Sequence, residues 1–251
     1  MTAIDNLALT GYGHFTTMRV EHGAVRGLTL HLDRLVADCA TVFGTELSRT
    51  YVRECIRTVL RDAAGPLTVR VTVADPELAV THPAAPSHPQ IFVTTRAASP
   101  VGLPPLRVRS VRHDRGVPAV KHTGLFGSLY ERRRAQLDGY DDALFVDGDG
   151  SVSEGVTWNV GFVASDSTLI WPRAQVLSGV TMRLVAGAHT GPQRTEPVPL
   201  AHLPTMVAAF ATNSAGGIRP VASIDTLRFS TAHEALDLLA RQYAGIEPEY
   251  I

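Results

Sequence analysis

Residues 119–181 read AVKHTGLFGSLYERRRAQLDGYDDALFVDGDGSVSEGVTWNVGFVASDSTLIWPRAQVLSGVT. Gly124–Leu137 has helical character, and Ala143–Val146 reads as a strand. Asp147-Gly148-Asp149-Gly150 makes a tight acidic turn into Ser151–Ser153. Val160–Ala164 and Leu169–Trp171 continue as strands, and Gly179–His189 starts another helix. Strands and helices mix without strict alternation. That pattern favours an α+β fold over a doubly wound parallel sheet.

The flanking segments extend the pattern. Gly13–Val20 and Ala24–Gly27 read as strands around Glu21-His22-Gly23, a polar, glycine-ending break typical of a hairpin. From Thr29 to Phe43, Leu32, Leu35, Val36, Cys39, Val42 and Phe43 recur at spacings of three and four. This predicts an amphipathic helix with Thr29 as N-cap and Gly44 as stop. Ser48–Ala64 reads as a second helix, and Leu67–Ala74, Gln90–Arg96 and Leu106–Arg112 as strands. Met206–Ala211 predicts a further strand and Thr231–Tyr243 a closing helix. Two domains are expected, over residues 1–112 and 121–251, joined by a linker at 113–120 (HDRGVPAV).

Bulk properties narrow the function classes. The chain has 251 residues, is 45% hydrophobic and carries a formal net charge of −1, which suits a globular protein. That balance gives no reason to expect nucleic acid or an anionic membrane as partner. No apolar run approaches the ~18 residues of a membrane span. The opening MTAIDNLALTGYG lacks the basic and apolar regions of a signal peptide. Cys39 and Cys55, read as reduced packing thiols, point to the cytoplasm. His14, His22, His82, His88, His113 and His122 match no metal-ligand spacing.

The chemistry-bearing residues lie in order along the opening stretch. Lys121 is the only lysine in the chain and follows an apolar Pro-Ala-Val flank. Glu154 sits between a hairpin and a strand. Gly179-Val180-Thr181 opens a predicted helix, whose N–H groups and threonine hydroxyl would form an anion site. Thr212-Asn213-Ser214 follows a strand and would add hydroxyls and amides. Alone, each reads as a surface residue, a helix cap or a turn. Together they match what pyridoxal phosphate demands: an amine for its aldehyde, an acid at its ring nitrogen, and donors for a dianionic phosphate.

These segments resemble the class IV (fold type IV) pyridoxal-phosphate enzymes, which include branched-chain and D-amino-acid aminotransferases and aminodeoxychorismate lyase. The resemblance runs from Gly13-His14-Phe15-Thr16-Thr17-Met18-Arg19-Val20 to Ile218-Arg219-Pro220-Val221. It implies a two-domain α+β fold with the cofactor in the interdomain crevice and the site completed in a homodimer. It further implies Lys121 as the Schiff-base lysine, Glu154 as the ring-nitrogen partner and Asn159 as a structural asparagine. His31-Leu32-Asp33-Arg34-Leu35 is similar to the family's first-helix motif, making Arg34 a phosphate contact. Val180, Thr181 and Ser214 fall on the remaining phosphate contacts, and Arg70, Thr16 and Ala215 on substrate contacts.

Two reactions stay open. Transamination between an amino donor (an amino acid or related primary amine) and a keto-acid acceptor is the main expectation. Phe15-Thr16-Thr17 and Lys121-His122 look like aminodeoxychorismate lyase, but Gly124 stands where that enzyme has asparagine. Phe126 stands where branched-chain enzymes place a tyrosine, and Asp75–Pro89 replaces the family's usual substrate loop. A cofactor-binding homologue without turnover is the non-enzymatic rival.

Overall fold

The computed structural model describes residues 2–61 and 65–251. They fall into two compact units. The first comprises Met1–Ser99, Val120–Leu125 and Glu247–Ile251; the second comprises Pro100–Ala119 and Phe126–Ile246.

In the first unit, α1 (Ala3–Thr10) starts with a reciprocal capping box between Thr2 and Asp5. It is followed by β1 (His14–Val20), β2 (Ala24–Val25), α2 (Leu28–Phe43), α3 (Arg49–Leu60), β3 (Leu67–Ala74) and β4 (Gln90–Ala97). Strands β1, β3 and β4 form an antiparallel sheet in that order. The period-two pattern of HFTTMRV sends His14, Thr16, Met18 and Val20 to one face, with Val69, Val71 and Val73 across the β1–β3 register. Met18, Val20 and the three valines pack there with Leu28, Leu32 and Leu35 of α2 and Val52 and Ile56 of α3. Each large side chain buried in this core contributes about 1.5–3 kcal/mol. The other face carries Phe15, Thr17, Arg70 and Thr72.

Two helix boundaries differ from expectation. Helix α2 begins at Leu28 behind Gly27, so Thr29 lies inside the first turn. Its N–H donates to Glu249 Oε2 (3.1 Å) and its hydroxyl donates to the same carboxylate. A partner 220 positions away, rather than a local cap, satisfies this end. Gly44 does end the helix in the left-handed conformation. Helix α3 is capped by Ser48 and runs to Leu60; the expected extension over 62–64 lies outside the described residues.

The second unit contains β5 (Leu106–Arg112), α4 (Phe126–Leu137), β6 (Asp142–Val146), β7 (Val152–Gly155), β8 (Asn159–Ala164) and β9 (Leu169–Pro172). Then come α5 (Val180–Ala188), β10 (Gln193–Glu196), a 3-10 turn at Leu200–Thr205, β11 (Met206–Asn213), β12 (Gly217–Ile224), β13 (Leu227–Arg228) and α6 (Glu234–Ala244). Among the described residues its sheet runs β10-β9-β8-β11-β12-β5-β6-β7, with β13 beside β12. The β5–β6, β5–β12 and β9–β10 pairs are parallel and the other pairs along the sheet are antiparallel, giving a mixed sheet. One face buries Phe162, Ile170, Ala209 and Val221. The other packs Phe210, Trp171 and Val163 against α5 and α6 through Val185, Leu236 and Leu239. Both faces of the central strands are covered, so NVGFVA and MVAAFATN read as near-continuous apolar runs.

The boundaries between units differ from those expected from the sequence. Strand β5, assigned to the first half, pairs in parallel with β6 and β12 of the second unit. Lys121, expected to open the second domain, belongs to the first unit, because residues 121–123 bond to the backbone of 13–15. The tail also returns there: β14 (Glu249–Tyr250) pairs with β2, and Arg53 donates to Tyr250 O at 3.0 Å. Chain order therefore misassigns both segments.

The first unit carries a pH liability. His14 is fully buried, neither ring nitrogen has a hydrogen-bond partner among the described residues, and burial lowers its pKa to about 4. Below its ordinary 6.5 the unfolded chain takes up a proton that the folded chain refuses, so stability falls as pH drops from 6.5 towards 4. The loss amounts to about 3 kcal/mol at most. His14→Leu should flatten the fall in melting temperature between pH 7 and pH 4.5. An unchanged slope would remove His14 as its cause.

Candidate active site

Lys121 is fixed by its backbone before its side chain is considered. Its N–H donates to Asp38 Oδ2 on α2 (3.1 Å), and its carbonyl accepts from Phe15 N (2.9 Å). Thr123 N donates to Gly13 O (2.8 Å), and His122 bridges His14 in antiparallel fashion. The 121–123 segment thus runs as a short extra strand along the start of β1. Lys121 Nζ lies 5.0 Å from the Phe15 ring centroid, within cation–π range.

Arg70 stacks on the same ring, with Cζ 3.6 Å from its centroid, and donates from Nε to Thr72 Oγ1 (3.1 Å). Burial, and then the charge of Arg96, lower its pKa from the ordinary arginine value. An anion at this position would relieve both effects. On the opposite, helix-facing side of β1, Arg34 Nη2 donates to Thr16 Oγ1 at 2.6 Å. Thr16 is fully buried there, so the substrate contact expected from the resemblance is replaced by bonds to α2.

The second unit assembles the other expected residues. Glu154 lies in β7 and is buried; its Oε1 receives Arg115 Nη1 at 2.8 Å and its Oε2 receives Leu177 N at 3.3 Å. Asn159 donates from Nδ2 to Leu177 O at 2.8 Å. Leu177 is therefore gripped through both of its backbone polar groups. The tight EGVTWN loop makes this reach possible. Gly155 N donates to Trp158 O (2.8 Å), while Trp158 Nε1 donates to Asp142 Oδ2 (3.0 Å), a carboxylate held bidentately by Arg132. A Cβ at Gly155 would stand 1.9 Å from the Trp158 ring, so only glycine permits this fold-back.

Beyond Leu177 the chain turns through Gly179 into α5. The helix has no side-chain cap and no acidic residue in its first turn, so no side chain or carboxylate of that turn competes for its N-terminal amides. Val180 and Thr181 are buried, and Thr181 Oγ1 donates to Ser214 Oγ at 3.3 Å. The β8–β11 register, with Asn159 opposite Thr212, brings the loop after β11 to this end of the sheet. In that loop Asn213 Oδ1 accepts from both Ala215 N (3.0 Å) and Gly216 N (2.8 Å). The Ala215 amide, expected to meet substrate, is engaged within its own turn. Phe126 is 84% exposed and stacks on Tyr130.

The structure thus gathers Lys121, Arg34, Thr16 and Arg70 within the first unit. It gathers Glu154, Asn159, Val180, Thr181 and Ser214 within the second. His31, within the first-helix motif, and Asp38, an i+4 ion-pair candidate for Arg34, flank that arginine at helical spacings of three and four. Arg115 sits in the 113–120 segment and gave no local signal. The second unit also holds a cavity of about 550 Å³ lined by Arg115, Glu154, His113, Asp147, Arg173 and Gln175.

Comparison with known proteins adds the following. The family described as Amino-transferase class IV matches residues 13–224. A Methanocaldococcus jannaschii protein provisionally named a branched-chain-amino-acid aminotransferase is 30% identical over 248 residues, spanning 90% of this chain and 83% of that protein. The Escherichia coli branched-chain amino acid aminotransferase structure superposes with a TM-score of 0.86 at 19% identity, covering 96% of this chain and 86% of that one. A Legionella pneumophila structure provisionally named a 4-amino-4-deoxychorismate lyase gives 0.83 at 22% identity, covering 98% and 96%. At these identities the structural likeness is one of fold.

The grip on Leu177 can be tested directly. A Cβ at Gly179 would fall 2.0 Å from Asn159 Oδ1 and displace the amide that holds Leu177 O. Gly179→Ala and Asn159→Ala should each cost about 1–3 kcal/mol, the cost of a buried carbonyl left unpaired. The double variant should cost little more than either alone in a denaturation cycle. Full additivity would show that the two residues act separately.

Proposed function

Because this chain belongs to the class IV aminotransferases, pyridoxal-phosphate-dependent enzymes of fold type IV, we propose that its expected site residues serve one cofactor, with Lys121 as the catalytic base. The observation that carries this is the anchoring of the only lysine beside Phe15 and Asp38, in the same unit as Arg34 and Arg70. The donor set fits the cofactor. The uncapped α5 amides of Val180 and Thr181, the hydroxyls of Thr181 and Ser214, and the Arg34 guanidinium suit a dianionic phosphate. The Glu154 carboxylate, steadied by Arg115 and Leu177, suits a protonated ring nitrogen. Asn159 holds the Leu177 turn that sets both.

The cofactor, when bound, supplies an electron sink for negative charge developing at the donor's Cα. Lys121 Nζ is the amine that would hold its aldehyde carbon. Once released, the same amine would remove the Cα proton of the amino donor and deliver it to the former aldehyde carbon, after which water would release the keto acid and leave the amino group behind. Glu154 keeps a proton on the ring nitrogen throughout. Arg70, desolvated on the Phe15 side of the sheet, receives the carboxylate of the donor or of the keto-acid acceptor.

The assembly proposed is a homodimer. Helix α4 exposes Phe126, Leu129, Tyr130 and Leu137 along one stripe, a surface suited to a second copy of the chain. Tyr130→Glu combined with Phe126→Glu should shift the sedimentation coefficient towards a monomer; no shift would assign the dimer contact elsewhere. Cys39 and Cys55 are free thiols, consistent with the reducing cytoplasm as the proposed location. Among the described residues, no helix is long and apolar enough to cross a membrane.

Borohydride reduction followed by peptide mass spectrometry should place the cofactor on Lys121, and Lys121→Ala should abolish both the label and turnover. Labelling of the alanine variant would refute the assignment. A lyase is the second reading, favoured by Phe15-Thr16-Thr17 and Lys121-His122. Amino donors supplied without an acceptor separate the two reactions. Transamination stops at one keto acid per bound cofactor, whereas a lyase releases pyruvate continuously.

A further inference from the structure

Thr16 lies opposite Val71 on the helix-facing side of the β1–β3 pair, and it is fully buried. A hydroxyl in that apolar layer requires partners, and it has two. Arg34 Nη2 lies 2.6 Å from Thr16 Oγ1, and His31 Nδ1 lies 2.7 Å from the same oxygen. The Arg34 nitrogen is also 3.4 Å from His31 Nδ1.

The hydrogen-bond inventory fixes the direction of this chain. A guanidinium only donates, so the ring nitrogen that faces it presents a lone pair, and the imidazole proton sits on Nε2. Thr16 accepts from Arg34 and has one proton of its own, which goes to His31 Nδ1. The order is Arg34 to Thr16 to His31. Burial, and then the charges of Arg34 and Lys121, hold the His31 pKa well below its ordinary value. The imidazole therefore stays neutral and keeps accepting. Valine would match threonine in shape at this position but would leave both Arg34 and His31 without the shared oxygen.

We propose that Thr16 and His31 are positioning residues that hold the Arg34 guanidinium ready for the cofactor's phosphate, so that a buried hydroxyl on β1 sets phosphate affinity. The inference rests on the assignment of Arg34 to that phosphate. A long arginine side chain loses rotamer freedom when a ligand orders it, and ordering it beforehand removes that loss from the binding step.

Discrimination between two probes tests the idea. The full-length protein is stripped of cofactor and titrated by absorbance and intrinsic fluorescence with pyridoxal 5'-phosphate and with pyridoxal, which lacks the phosphate. Thr16→Val should weaken pyridoxal 5'-phosphate binding on the order of tenfold, as expected for losing a charge-assisted hydrogen bond. Its affinity for pyridoxal should barely change. Thr16→Ser, which keeps the hydroxyl, should restore the wild-type ratio, and inorganic phosphate should compete less well against the valine variant. Arg34→Gln serves as reference. If Arg34→Gln reduces the ratio and Thr16→Val does not, the relay is a core contact only and the proposal fails. If Arg34→Gln leaves the ratio unchanged, the phosphate assignment of Arg34 fails first and takes the proposal with it. Equal weakening of both ligands by Thr16→Val would mark general loss of structure and would also overturn it.

Discussion

The arrangement around Glu154 in the second unit depends on one residue, Leu177. Glu154 accepts its N–H and Asn159 donates to its carbonyl, so both polar groups of a buried turn are satisfied by side chains from either end of EGVTWN. A buried peptide left unpaired is costly, and this pairing fixes where the chain goes next. Two residues later it passes Gly179, close against the Asn159 amide, and enters α5 with its N-terminal amides uncapped. The Glu154 carboxylate and the asparagine that aims α5 are thus parts of one mechanical device. Trp158 and Asp142 support it from the sheet side.

The first unit solves a different problem. Strand β1 must present chemistry on both faces without losing its core. Met18 and Val20 bury against α2 and α3, while Phe15 on the other face carries Arg70 and approaches Lys121. Thr16 departs from the apolar side of that alternation. Its burial is tolerated because Arg34 and His31 use both of its hydrogen-bonding capacities. A residue read from the sequence as a substrate contact becomes instead a fixture of the arginine behind it.

Much of this was legible in the linear chain. Alternation over LTVRVTV and helical spacing from Leu32 to Phe43 gave elements close to those observed, because burial on one face imposes that period directly. The single lysine, the glutamate before a tight Gly-Val-Thr-Trp-Asn loop and the Gly-Val-Thr helix start were visible for a similar local reason. Other features were hidden because their partners are distant. Thr29 is tied to Glu249, β5 is claimed by strands from the other half, and Arg115 becomes half of an ion pair 39 residues along the chain.

The linear chain alone carries the type of fold and, through its family resemblance, the cofactor class. These follow from residue type and near-neighbour spacing, which survive any rearrangement of distant segments. Only the tertiary structure decided which side of β1 Arg34 and Arg70 serve and which unit owns the lysine. It also decided that Thr16 looks inward to Arg34. Strand pairing and buried hydrogen bonds join residues tens to hundreds of positions apart, and nothing in the local pattern encodes those partners.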